Sequence, residues 1–187
     1  MKTVLGVAAG TCLAVGSLFF ALQATGGEAR AGEGEKLFEF KQMVGVSGVF
    51  RGVTMPLRAV PGGGAPWVID KGEAKLEENG KLKVEVEGLV IDPAFGPPFG
   101  GTNPVPRFFA TLSCLDPATG VVDNLNTKTV VATSQGDAKI KVVLDLPDTC
   151  VAPIVFVRGD LSSIPNNPFN NPAGPDPSDP WFAASGF

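Results

Sequence analysis

The chain has no histidine and no tyrosine, and its 187 residues include only three cysteines, three methionines and two tryptophans. Each scarcity closes off some chemistry. Without histidine no Ser–His or Cys–His dyad can form, and zinc and haem sites lose their commonest protein ligand. Without tyrosine the aromatic girdle of an outer-membrane barrel is missing. No Asn-x-Ser/Thr acceptor occurs, so sequon glycosylation is not expected. Basic residues are dispersed (Lys36, Lys41, Arg51, Arg58, Lys71, Lys75, Lys81, Lys83) among apolar and acidic neighbours. Nothing there would track a phosphate backbone, so nucleic acid is not an expected partner. Beyond the N-terminal segment no stretch holds a 3.6-residue hydrophobic period, which removes amphipathic helices from the fold.

What is present begins with Lys2, an apolar run over 4–22 and the small-residue ending Ala29-Arg30-Ala31. This pattern predicts a secretory signal peptide over 1–31 with a signal helix, cut after Ala31 or, nearer the apolar run, after Ala24. An uncleaved run of about 20 residues would be long enough to anchor the chain in a bilayer, the one route by which a membrane enters. Thr11 argues against lipidation of Cys12, because the residue before a lipidated cysteine should be very small. Removing Lys2 and Arg30 from the 15 basic residues, and Glu28 from the 19 acidic ones, leaves 13 against 18, a net charge of −5. The expected location is outside the cytosol: periplasm, cell surface or medium. Cys12 leaves with the signal, so Cys114 and Cys150 are expected to pair. A bond closing their loop contributes roughly 3.8 kcal/mol on a chain-entropy estimate.

Residues 32–187 suit one domain, and their segments alternate with period two. Phe38 and Phe40 alternate with Glu39 and Lys41. Leu82, Val84 and Val86 alternate with Lys83, Glu85 and Glu87. Phe108, Ala110, Leu112 and Cys114 share one parity, as do Ile140, Val142, Leu144 and Leu146. These predict half-buried antiparallel strands. The segment 153–157 is apolar on both parities, as is 44–53 apart from its glycines, so both are expected to lie deep. Frequent turn signals, such as Asn79-Gly80, Asp116-Pro117 and Gly136-Asp137, complete the pattern of an all-β protein, an antiparallel β-sandwich or squat barrel. Around Asn79-Gly80 the inward residues all carry even numbers, which excludes a strict two-residue hairpin loop. A three-residue loop, Glu78-Asn79-Gly80, then puts glycine in the left-handed position. Two long loops, 92–106 and 160–180, are rich in proline with glycine or asparagine. The second is expected to be an accessory contact surface dispensable for folding, and the apolar residues after it to close the fold as a strand.

Candidate chemistry is thin. Glu85 and Glu87 share a strand face, and with Asp92 could serve glycoside hydrolysis, which needs two carboxyls about 5 to 9.5 Å apart in a cleft. Their lysine neighbours favour a solvated face. Asp176 and Asp179 could offer oxygen to Ca²⁺, but their spacing matches no dedicated calcium loop. No metal or cofactor is therefore expected. Gly62-Gly63-Gly64 lacks the following Lys-Ser/Thr of a phosphate cradle and reads as a turn. Trp67, Trp181, Phe95, Phe99 and Phe169 could present flat apolar faces to a sugar or a protein. The two tryptophans border strands and are expected in the core.

The runs Arg51-Gly52-Val53, Pro61-Gly62-Gly63-Gly64-Ala65-Pro66-Trp67-Val68, Gly101-Thr102-Asn103-Pro104-Val105-Pro106, Ser113-Cys114, Leu146-Pro147, Cys150-Val151-Ala152-Pro153-Ile154-Val155-Phe156-Val157 and Trp181-Phe182-Ala183 resemble a group of small secreted bacterial proteins with one uncharacterised domain. The resemblance spans about residues 49–187 and implies a recurrent secreted module without any catalytic residue to carry over. The expectation is a non-enzymatic extracellular binding or structural module for a protein or glycan, its two proline-rich loops forming the contact surface. The alternative is a carboxylate-dependent enzyme acting on polysaccharide.

Overall fold

The computed structural model describes residues 34–165 and 176–185. The expected signal segment, Phe169 and Phe187 lie outside that range. Among the described residues, the strands in chain order are β1 (Lys36–Phe40), β2 (Val44–Gly45), β3 (Trp67–Val68), β4 (Lys71–Glu77), β5 (Lys81–Glu87), β6 (Val90–Ile91), β7 (Arg107–Leu115), β8 (Val122–Asn126), β9 (Val130–Val131), β10 (Ala138–Val143), β11 (Val151–Gly159) and β12 (Trp181–Ala184). One sheet runs β1-β4-β5-β10. The other runs β2-β12-β11-β7-β8 with β9 alongside β7, and β3-β6 form a short ribbon. The strands pair antiparallel, and the two large sheets pack as a sandwich, as the alternation predicts.

The first sheet is amphipathic. Leu76, Leu82, Val84, Val86 and Ile140 are buried, while Lys81, Lys83, Glu87, Lys139 and Lys141 are exposed, so alternate residues of each strand point to core and water. The second sheet is buried on both faces at its centre. One face of β7 and β11, carrying Phe108, Ala110, Leu112 and Val157, joins the core. On the other, Trp181 lies between Phe50 and Phe156, with ring centroids 6.5 and 5.9 Å away, and the Arg158 guanidinium sits 5.0 Å from the Phe109 ring centre. That is why β11 lacks alternation.

Cys114 and Cys150 form a disulfide, their Cα atoms 4.6 Å apart, tying the end of β7 to the start of β11. The β4–β5 hairpin pairs Glu73 with Glu85, Lys75 with Lys83 and Leu76 with Leu82, the register that the glycine placement predicts. Gly80 has φ +81°, and its N–H donates to the Glu77 carbonyl at 2.9 Å. A Cβ there would stand 2.1 Å from the Leu144 carbonyl oxygen. Gly80→Ala is therefore expected to destabilise by well over the roughly 1 kcal/mol of an ordinary left-handed non-glycine residue. A urea midpoint unchanged from the parent would refute this.

The segment 44–53 departs from expectation. Val46 is buried, but Val49 and Val53 are 64 % and 81 % exposed. Only Val44–Gly45 pairs, as the edge of the second sheet, and a 3₁₀ turn at Gly48–Phe50 then leads the chain out. The glycines discounted in reading that run carry the reason: Gly48 and Gly52 both have positive φ, which ends the strand and turns valine side chains to water.

Candidate functional site

Described residues of the two proline-rich loops line one groove, and defined hydrogen bonds hold those described parts in place. The first is closed at its base by backbone bonds, Ile91 N to Thr102 O at 3.0 Å and Gly101 N to Ile91 O at 2.8 Å. Inside it, Asp92 Oδ1 accepts from Ala94 N at 2.8 Å and caps a 3₁₀ turn at Pro93–Phe95. Buried Asn103 donates to the carbonyls of Val105 and Thr133 and accepts from Val105 N, fixing the return of the chain. Held this way, Phe95 and Phe99 stay 49 % and 48 % exposed.

The second loop is built on a buried cation. Arg158 Nε and Nη2 donate to the Asp179 carbonyl, and Nη2 also donates to the carbonyls of Asp176 and Pro177 at 2.9 and 3.0 Å. Nη1 reaches Thr111 Oγ1 at 3.3 Å. Desolvation pulls the Arg158 guanidinium down to about 10, against the attraction of Asp179 and Asp176. Asp179, fully buried, accepts from Leu161 N at 3.2 Å and from Asp176 N at 2.9 Å. The carboxylates of Asp176 and Asp179 thus serve the local chain: Asp176 caps Ser178, which holds its pKa below the ordinary range. Among the described residues no group of three or more His, Cys, Asp or Glu is placed to hold a metal ion. Against the expectation of a purely accessory loop, Asp160 and Asp179 are buried, and the carbonyls of Asp176, Pro177 and Asp179 accept from the Arg158 guanidinium.

Between the loops lies an apolar groove of about 540 Å³. Trp67, Ile91 and Phe182 form its floor, Phe95, Phe99, Pro104 and Val105 one wall, and Leu161, Ile164 and Pro180 the other, with Gly64 and Ala65 at the rim. The Trp67 and Phe182 rings stack at 3.9 Å with 11° between planes, and Phe108 meets Phe182 edge-on at 5.8 Å. Gly159 makes this possible, since a Cβ there would come within 2.2 Å of the Phe182 ring. Both tryptophans are core residues, as expected, and Trp67 shows part of its surface to the groove. Phe95 and Phe99 were legible as loop aromatics. Their convergence with Leu161 and Ile164 was not, because no local pattern links segments that far apart in sequence.

Of the carboxylates of the enzyme alternative, Asp92 caps the Pro93–Phe95 turn in the first loop, while Glu85 and Glu87 lie on β5 and do not line the groove. Glu85 lies 2.7 Å from Lys139 Nζ and 3.5 Å from Lys83 Nζ, and Glu87 approaches Lys71 at 4.0 Å. Glu73 is the direct cross-strand neighbour of Glu85, but the pair borders a shallow depression shared with Lys75 and Lys83. The hydrogen bond from Lys139 lowers the Glu85 pKa, the opposite of what a general acid in glycoside hydrolysis requires. Glu77, buried and bonded to Lys75 at 2.9 Å, is lowered as well. Depressed folded values give stability that is present above the ordinary carboxylate range and lost as pH falls through the folded values. Urea midpoints are expected to fall from neutral pH toward strongly acidic pH, with a flatter profile in Glu85→Gln. Identical profiles would refute the assignment.

The site therefore defines a β-sandwich with an aromatic-floored groove set between two loops. Comparison with known protein families, curated proteins and solved structures finds no match.

Proposed function

We propose that the protein is an exported, non-enzymatic binding module whose groove takes an apolar ligand or an apolar segment of a partner. The observation that carries this reading is the groove itself: the first loop, closed by its backbone bonds, keeps Phe95 and Phe99 half in water beside the stacked Trp67 and Phe182 rings. Small-ligand sites are typically apolar concavities of roughly 300–1,000 Å³, and this one falls in that range. Its lining is made of glycine, alanine, proline and large apolar side chains, which favours a hydrophobic group over a free glycan, whose hydroxyls would need partners. Export is supported by the N-terminal pattern and by the Cys114–Cys150 bond, a linkage that persists in oxidising compartments.

The test is a fluorescent apolar probe, N-phenyl-1-naphthylamine, titrated with the protein. Saturable enhancement is expected, and Phe95→Ser with Phe99→Ser together should weaken it about tenfold or more, since 1.4 kcal/mol of lost apolar contact gives a factor of ten. Both positions are exposed, so the fold should survive. Absence of saturable enhancement, or an unchanged affinity in the double variant, would sink the reading.

A further inference from the structure

We infer that the groove's ligand is an amphipathic monoanion, an acyl carboxylate whose tail fills the groove and whose head is held by Arg51. This rests on the groove reading above and adds the charge of the ligand. Arg51 Nε and Nη2 both donate to the carbonyl of Gly64, at 3.0 and 2.6 Å. Gly64 is a rim residue of the groove, and the space where its Cβ would be is open to 4 Å. The guanidinium is thus tethered to the backbone of a residue that lines the groove. The backbone under it is fixed by Gly52 N to Gly63 O at 3.1 Å and Gly62 N to Gly52 O at 3.0 Å.

A guanidinium has five N–H donors, and the Gly64 carbonyl occupies Nε and one face of Nη2. Among the described residues Nη1 has no hydrogen-bond partner, and no carboxylate lies within ion-pair distance of Arg51. Half of the other cations among the described residues differ: Lys36, Lys71, Lys75, Lys81, Lys83 and Lys139 each lie against a glutamate. A positioned cation with spare donors, beside a cavity that no charged side chain lines among the described residues, is complementary to a molecule with one anionic end and an apolar body. The carboxylate gains charge-assisted bonds to a head already oriented by Gly64. The tail removes apolar surface from water without leaving a polar group unpaired. A neutral alcohol of the same length gives up the first contribution, and a cationic amphiphile meets repulsion.

Displacement of N-phenyl-1-naphthylamine from the exported protein by decanoate, decanol and decyltrimethylammonium separates the cases. Decanoate should displace the probe at concentrations about tenfold or more below those of decanol, and the ammonium should be weakest. Arg51→Met should lose the preference for decanoate over decanol, read as the ratio of their displacing concentrations, and Arg51→Lys should keep part of it. Probe binding without that preference, or a preference that survives Arg51→Met, overturns this inference while leaving the groove reading intact. Failure of the probe to bind removes both. Self-association that excludes the probe, seen by sedimentation, would assign the groove to a second copy of the chain and also overturn it.

Discussion

Replacing Trp181 by alanine is expected to lower the unfolding free energy by about 3–5 kcal/mol, the usual cost of truncating a fully buried aromatic. Trp181 is 1 % exposed and lies between Phe50 and Phe156 on the outer face of the second sheet. Its backbone is equally committed, with N–H to the Pro61 carbonyl at 2.9 Å and carbonyl to Gly63 N at 2.9 Å. For a domain of ordinary stability, roughly 5–15 kcal/mol, the substitution takes a large share. Ending the chain after Pro180 should abolish the cooperative transition, since it removes the strand between β2 and β11. Urea denaturation followed by the fluorescence of the remaining Trp67 would check the alanine variant, and a loss under about 1 kcal/mol would contradict the packing described.

Arg158→Leu is expected to cost about 3 kcal/mol. The leucine fills part of the volume but leaves the carbonyls of half-buried Asp176, exposed Pro177 and buried Asp179 without their donor, and a buried unsatisfied acceptor costs about 1–3 kcal/mol. Water can relieve those nearest the surface, so the sum is not reached. Because Asp179 also holds Leu161 N, the groove wall should loosen, and probe affinity should fall along with stability. Shortening 164–178 should destabilise in the same sense, because it removes Asp176, Pro177 and the lining residue Ile164. Melting at the parental temperature in either variant would show that the buried cation does not organise this loop.

Strands such as β5 and β10 were legible because one of their faces meets water. The parity of Leu82, Val84 and Val86 against Lys83 and Glu85 gave both the sheet and, with Gly80, its register. The absence of alternation in 153–157 marked a deep strand, but a run apolar on both parities over 44–53 proved to be a two-residue strand and an exposed turn. Hydrophobicity alone does not say whether a second layer is available to cover a segment. Arg158 shows the converse: it follows the apolar run 153–157, and nothing in the local pattern marks it as buried. Its burial depends on carbonyls about twenty residues further along, and backbone acceptors leave no trace in side-chain pattern. The groove was half legible for a similar reason. Phe95 and Phe99 stand out in a proline-rich loop, whereas Leu161, Ile164 and Pro180 acquire meaning only once Arg158 and Asp179 have folded the second loop toward them.

The position of β12 has a consequence for the order in which the molecule can assemble. Ala183 pairs with Gly45 on one side and Val157 on the other, so the last described strand sits inside its sheet and bridges one of the earliest strands to β11. Contacts so distant along the chain make folding slow. During synthesis, β7 and β11 can zip together and accept their disulfide, but the β2 edge has nowhere to dock until the final strand arrives. Until then β11 presents an open hydrogen-bonding edge and an apolar strand to any neighbour, a template for association between chains. The interval between emergence of β11 and arrival of β12 is therefore when the protein is most exposed to aggregation and proteolysis, and a chaperone acting on it would do most good by shielding that edge.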